Sequence, residues 1–140
     1  MPRRLTADTN IYISALNFGG IPEAILAVAR AGLWEIAISR PILAEVERVL
    51  SIKFHYTSAM LNDALEEIRR FAILVHPSIT LDVIKADPSD NRILECALSS
   101  QSECVVTGDS HLLKLQEYEG ISILSPAEFL DFSRRRKAHK

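Results

Sequence analysis

The chain has 140 residues, 48% hydrophobic and 24% charged, which is the balance of one soluble globular domain and is cramped for two. No apolar run approaches the roughly 18 residues of a membrane span, and Met1-Pro2-Arg3-Arg4 leads into an apolar stretch broken by Asp8. No membrane partner or signal peptide is therefore expected, and the cytoplasm is the default location. The net charge of −2 is uneven: Arg134, Arg135, Arg136, Lys137 and Lys140 leave a body with eleven basic residues against 18 acidic ones, formally −7. Such a body excludes a simple basic-surface nucleic-acid binder but leaves room for carboxylates gathered around a metal.

In chain order, periodicity predicts a strand at Arg3–Ala7, a helix from about Asn10 to Asn17, and a break at Phe18-Gly19-Gly20. Pro22 to Gly32 carries an apolar face of Ile25, Leu26, Val28 and Ala29 and closes on glycine; Trp34–Ser39 is the next strand. A helix from Pro41 to about Lys53 buries Ile42, Val46, Val49 and Leu50, and another from Ser58 to Phe71 carries Leu61, Leu65 and Ile68. Ala72–His76 suits a short strand, and Pro77 to Ala86 has no clear period. Asp87-Pro88 reads as an N-cap with proline at the first helical position, opening a helix to about Ser100. A strand at Glu103–Thr107, a helix at Ser110–Glu117, a strand at Ile121–Leu124 and a final helix from Ser125-Pro126 complete the order. Strands alternating with helices imply a parallel sheet covered on both faces. One domain over residues 1–133 and a basic tail at 134–140 follow, the tail being either a solvated end or, through Arg134, Arg135, Arg136 and Lys137, a set of phosphate contacts to a polyanion. Cys96 and Cys104 read as small buried hydrophobes.

Ligands of open parallel sheets bind beyond the carboxyl ends of the strands, where this sequence places Asp8-Thr9-Asn10 and Thr107-Gly108-Asp109. Each aspartate alone is explained by helix capping, and Gly108 by a turn. Two aspartates at one sheet edge are not required by capping, whereas hard cations such as Mg²⁺ and Mn²⁺ require oxygen ligands gathered in this way. Glu45 lies beside the apolar stripe of Ile42 and Val49, so it is either a solvated margin residue or the wall of a polar crevice. Asp90 falls in a first helical turn, where the macrodipole alone would favour it, and Asp87 is its capping neighbour. Asn10, Thr107 and Asn91 add neutral oxygens nearby. The histidines His55, His76, His111 and His139 have no paired ligand spacing and are expected at surface or loop positions.

At these motifs the sequence resembles the PIN-domain nucleases, in particular the VapC-like bacterial and archaeal branch of toxins from toxin–antitoxin pairs. The resemblance is carried by Thr6-Ala7-Asp8-Thr9-Asn10, Ser39-Arg40-Pro41-Ile42-Leu43-Ala44-Glu45-Val46, Asp87-Pro88-Ser89-Asp90-Asn91 and Val105-Val106-Thr107-Gly108-Asp109, with Ile121–Leu130 ending as this branch does. It implies a three-layer α/β/α sandwich with a mainly parallel central sheet and the first strand central. It also implies an endoribonuclease hydrolysing single-stranded RNA with Asp8, Glu45, Asp90 and Asp109 as acidic quartet. Asp8, Asp90 and Asp109 would be the ligands of Mg²⁺ or Mn²⁺, and Asn10, Thr107 and Asn91 would stand in support. A bound cation would polarise the phosphodiester and activate water for in-line attack. Expected partners are single-stranded RNA, a cognate antitoxin and a second copy in a homodimer, for which the helix at Ser58–Phe71 offers a face that an ordinary core also explains. Where the family often has a further Asp, this chain has Ser89.

Three rival functions remain in view. Aspartate-nucleophile phosphatases need a second Asp where Asn10 stands, and phospho-receivers need an acidic pair near the first strand. A PIN-like module that only binds RNA or protein would show a missing quartet member, and none is missing.

Overall fold

The first strand, β1 (Arg3–Ala7), is wholly buried over Leu5, Thr6 and Ala7, as a strand flanked on both sides must be. It pairs in parallel with β2 (Trp34–Ser39) on one side and β4 (Cys104–Val106) on the other. The computed structural model describes residues 3–138, with side chains as far as Arg134. Six strands form one sheet in the order β3-β2-β1-β4-β6-β5, where β3 is Ala72–Val75, β5 Glu117–Tyr118 and β6 Ile121–Leu124. Every pairing is parallel except that of β5 with β6. Helices α1 (Thr9–Phe18), α2 (Gly20–Arg30), α3 (Arg40–Ile52), α4 (Ser58–Phe71), α5 (Ser89–Ser100), α6 (Ser110–Leu113) and α7 (Pro126–Ala138) make this a three-layer α/β/α sandwich. No single helix among the described residues is long and apolar enough to cross a membrane.

Local chemistry explains most boundaries. Asp8 caps α1 and Thr57 caps α4, each side chain accepting a backbone N–H. Gly19 and Gly20 both take left-handed backbone (φ 72° and 67°), which lets α1 and α2 meet at 104°. The stripe of α4 faces inward, with Leu65 and Ile68 buried and Leu61 packed against the core, so it serves the core. Cys96 and Cys104 are free and fully buried, and burial pushes both thiols up to about 12.

Three sequence expectations change, and the segment without a period proves irregular. The helix expected at Ser110–Glu117 is the single turn α6, and Glu117–Tyr118 turns back against Ile121–Leu124 as a hairpin through Glu119 and Gly120, both at positive φ. Pro88 is the cap of α5 and not its first residue, although the Asp87 carboxylate still accepts from Ser89 N and Oγ. The segment between β3 and α5 is irregular but held, as described below. Finally, α7 runs through the boundary expected at 133 and 134 as far as Ala138. Its Phe129 stacks edge-on against Trp34 at 5.0 Å, and Phe132 lies over the Arg3 guanidinium. Both contacts lie at the amino ends of β1 and β2. The basic run therefore leaves the sheet at the edge opposite the ends of β1 and β4.

Candidate functional site

Sheet register assembles the site. Ala7 pairs with Val106, and Asp8 N donates to Val106 O at 3.0 Å, so one step beyond the strands Asp8 stands beside Thr107. The Thr107 hydroxyl donates to Asp8 Oδ2, and Thr107 Oγ1 itself accepts from Asp109 N at 2.9 Å, tying the ends of β1 and β4 together through one buried side chain. Asp8 Oδ1 accepts from Asn10 N at 2.8 Å, and Asp109 Oδ1 accepts from His111 N and Leu112 N at 2.7 and 3.2 Å. Both aspartates therefore cap helices, and both line the same cleft. Gly108 between them is not in left-handed backbone and a Cβ there would meet open space, so a turn does not require it.

Helix α5 approaches this edge from the other side and brings Asp90 in its first turn. Asp90 is 7% exposed, and its Oδ2 is buried with no hydrogen-bond partner among the described residues. Burial first, then the charges of Asp109, Asp87 and Asp8, push its carboxyl up to about 7. Asp8 is raised as well, mainly by burial, against the Thr107 and backbone hydrogen bonds that favour its charge. The fourth wall is α3, whose Glu45 is one-third exposed and bonded to Arg48. The cleft so formed holds about 300 Å³ and is lined by Asp8, Asn10, Glu45, Asp87, Asp90 and Asp109, with Arg48, Lys53 and Arg92 as its cations.

The donor set suits a hard divalent cation. Carboxylate oxygens converge, one of them has no hydrogen-bond partner among the described residues, and like charges at this range are strained without a counter-charge. Asp90, Asp109 and His111 each bring a ligand atom within 4.8 Å of the others. His111 was expected at the surface, and it is exposed, yet its Nδ1 lies 3.5 Å from Asp109 Oδ1. The signal available was its place two residues after Asp109 in a first helical turn.

Asn91 departs from its expected place. Its Oδ1 accepts from Val83 N and Ile84 N, both at 2.8 Å, and its Nδ2 donates to Ile84 O and Pro88 O. Every polar atom is spent on the 83–88 segment and none faces the carboxylates. Glu95, which the sequence reading passed over, is 6% exposed, accepts from Leu81 N at 2.7 Å and pairs with Arg92 at 2.8 Å. Arg92 in turn donates to Leu81 O. Of the expected tail contacts, Arg134 is exposed at the far edge, whereas His139, Lys140 and the side chains of Arg135, Arg136 and Lys137 lie outside the described residues.

Comparison with known proteins bears on the fold and the family. No curated protein matches the sequence. A chain in the crystal structure of VapBC2 from Rickettsia felis bound to a DNA fragment from their promoter shares the fold, with a TM-score of 0.62 and 17% identity over 87% of this chain and 98% of that one. A family model for the PIN domain matches residues 4–111, a span that reaches from β1 through Asp8, Glu45 and Asp90 to Asp109 and His111, and this chain therefore belongs to the PIN-domain family.

Proposed function

We propose that the protein is a divalent-cation-dependent endoribonuclease that hydrolyses phosphodiester bonds of single-stranded RNA in the cytoplasm, as the toxin of a toxin–antitoxin pair. The observation that carries this proposal is the buried Asp90 Oδ2, which has no hydrogen-bond partner among the described residues and lies in an open cleft beside the charges of Asp109 and Asp8. A structural ion-pair network would have satisfied it. Asp8, Asp90 and Asp109 would hold Mg²⁺ or Mn²⁺, which when bound supplies Lewis-acid polarisation of the phosphodiester and a lowered pKa for water. Thr107 fixes the rotamers of Asp8 and the approach of Asp109, Asn10 anchors the Asp8 cap, and Glu45 stands on the opposite wall. With no cation bound, the Asp90 carboxyl, pushed up to about 7, shares its population between the protonated and charged forms near neutral pH, and a cation favours the charged form.

The fold shared with a chain of the VapBC2 complex supports a cognate antitoxin and a homodimer as partners. An exposed apolar end of the molecule is available for either: Phe18, 76% exposed, stacks edge-on against Phe54 beside exposed Ile52. The deciding experiment is cleavage of a single-stranded RNA by purified protein with Mn²⁺, with excess EDTA, and with metal restored. Cleavage that stops in EDTA and returns with metal supports the assignment; equal cleavage in EDTA refutes it.

A further inference from the structure

One wall of the cleft is basic, and its chief cation is engaged with a member of the acidic quartet. On α3, Arg48 Nη2 and Nε bind Glu45 Oε1 and Oε2 at 2.5 and 3.1 Å, fork to fork, so both oxygens of Glu45 face a guanidinium. Arg48 is 57% exposed and the pair is separated by one helical turn, which makes it a solvent-screened contact that a stronger anion can displace. Lys53 lines the same wall and has no ion-pair partner among the described residues, whereas Arg92, the third cation of the cleft, is tied to Glu95 and Leu81 O. A polyanion entering between α3 and the Asp8, Asp90 and Asp109 floor meets available positive charge on α3. A guanidinium fork suits phosphate oxygens as well as it suits a carboxylate.

We infer that Arg48 and Lys53 bind phosphates of a single-stranded nucleic acid, and that drawing Arg48 onto phosphate releases Glu45 to join the carboxylate cluster. This rests on the function proposed above and adds an order to it: substrate binding completes the acidic set. Because Arg48 and the cation compete for one carboxylate, nucleic acid and metal must strengthen each other's binding, reciprocally and by the same factor. No bond is made or broken in the exchange; only two side-chain rotamers change.

The test uses the full-length protein, Mn²⁺ alone by calorimetry, and a non-cleavable 2′-O-methyl single-stranded oligoribonucleotide by fluorescence anisotropy, in EDTA and in Mn²⁺. In the parent, oligonucleotide should tighten Mn²⁺ binding about fivefold or more. Arg48→Ala should weaken the oligonucleotide in EDTA by about tenfold and abolish that mutual tightening, with Arg48→Lys recovering part of the affinity. Glu45→Gln should raise metal-free oligonucleotide affinity in the parent, but much less in the Arg48→Ala background, because no Arg48 remains to be released. Arg48 is exposed, so the variants should fold, and circular dichroism checks this. If the parent binds both ligands while Arg48→Ala changes neither affinity nor coupling, the inference is overturned and the nuclease assignment stands. A parent that binds neither ligand overturns both. Loss of polyglutamate binding in Arg48→Ala with oligonucleotide binding intact would overturn the inference in favour of an acidic protein partner.

Discussion

Asp90 and Asn91 are neighbours on α5 and both are buried, at 7% and 1% exposure, yet the fold treats them in opposite ways. Asn91 has four hydrogen bonds to the backbone of residues 83–88, and Glu95 one turn on is equally committed to Leu81 and Arg92. Asp90 has an oxygen with no partner among the described residues, within the field of the Asp109, Asp87 and Asp8 carboxylates. A buried polar group normally finds its hydrogen bonds, so a saturated one reports architecture, and an orphaned one that lines an open cleft among other carboxylates, unlike the orphaned Tyr12 hydroxyl in the core, reports room for a ligand. Here the two meanings sit one residue apart, and the first serves the second: the segment that Asn91 holds leads through Asp87 into Asp90.

The sharpest break between the two faces of α5 comes from substitution on the cleft side. Asp90→Asn should lower metal-dependent cleavage by at least about a hundredfold while leaving Tm in EDTA unchanged or raised, because it removes a charge from a repulsive group and no hydrogen bond that the fold uses. Asp8→Asn and Asp109→Asn should behave alike, since asparagine caps a helix about as well as aspartate. Cleavage rates beside thermal melts decide it. Variants that melt markedly earlier than the parent would make these residues caps and nothing more.

On the other face the order reverses. Asn91→Ala strands the N–H groups of Val83 and Ile84 and the Ile84 carbonyl, and should cost about 2–4 kcal/mol of stability. Denaturant melts measure this, and a loss below about 0.5 kcal/mol would mean that the segment re-satisfies itself with water. Asn91→Asp keeps the acceptor but loses both donors, so its loss should fall between.

A smaller and more selective difference lies in pH. The ordinary Asp90 carboxyl value is 3.8 and the folded value about 7, so between them the folded protein holds a proton that the unfolded chain has released. Metal-free stability should therefore fall as pH rises from about 4 to about 7 and level off above, with Asp8 adding in the same direction. Asp90→Asn should flatten that slope and Mn²⁺ should reverse it, whereas Asn91 variants should leave its shape alone. Melts in EDTA across this range would refute the assignment if the Asp90→Asn slope matched the parent's.

Much of this was legible in the chain. Strands β1, β2 and β6 and helix α4 fall where period and punctuation place them, and Asp8 and Asp109 sit beyond strands whose burial is plain in their composition. The β5 turn escaped because Glu119-Gly120 lacks the Asn or Asp that announces a tight hairpin, and Leu112 and Leu113 extend an apparent helical period past a single turn. Asn91 was misplaced because its partners belong to a segment without period: a side chain that binds only backbone leaves no mark on the residues it binds. The Glu45–Arg48 pair went unread although the two are three residues apart on one helix, because its exposure and its place on the cleft wall are properties of the fold.

The basic end of α7 offers the mildest contrast with the cleft. An acidic body facing a polyanion makes phosphate contacts by Arg134 to Lys137 attractive, but Phe132 over Arg3 puts the run beyond the amino ends of the strands, while the carboxylates stand past their carboxyl ends. Five residues of β1 separate the two edges, about 15 Å at the usual rise per residue. A short oligonucleotide seated in the cleft does not span that distance, whereas a long RNA does. Deleting the residues after Ser133 should therefore leave the cleavage rate and the affinity of a short single strand unchanged, and should weaken a long RNA with a flatter dependence on salt, since fewer counterions are released. Affinities measured against salt for both lengths test it. A truncation that weakens the short strand would bring the basic run to the cleft, for instance from the second copy of a dimer, and a truncation that changes neither length would leave α7 with its packing role alone.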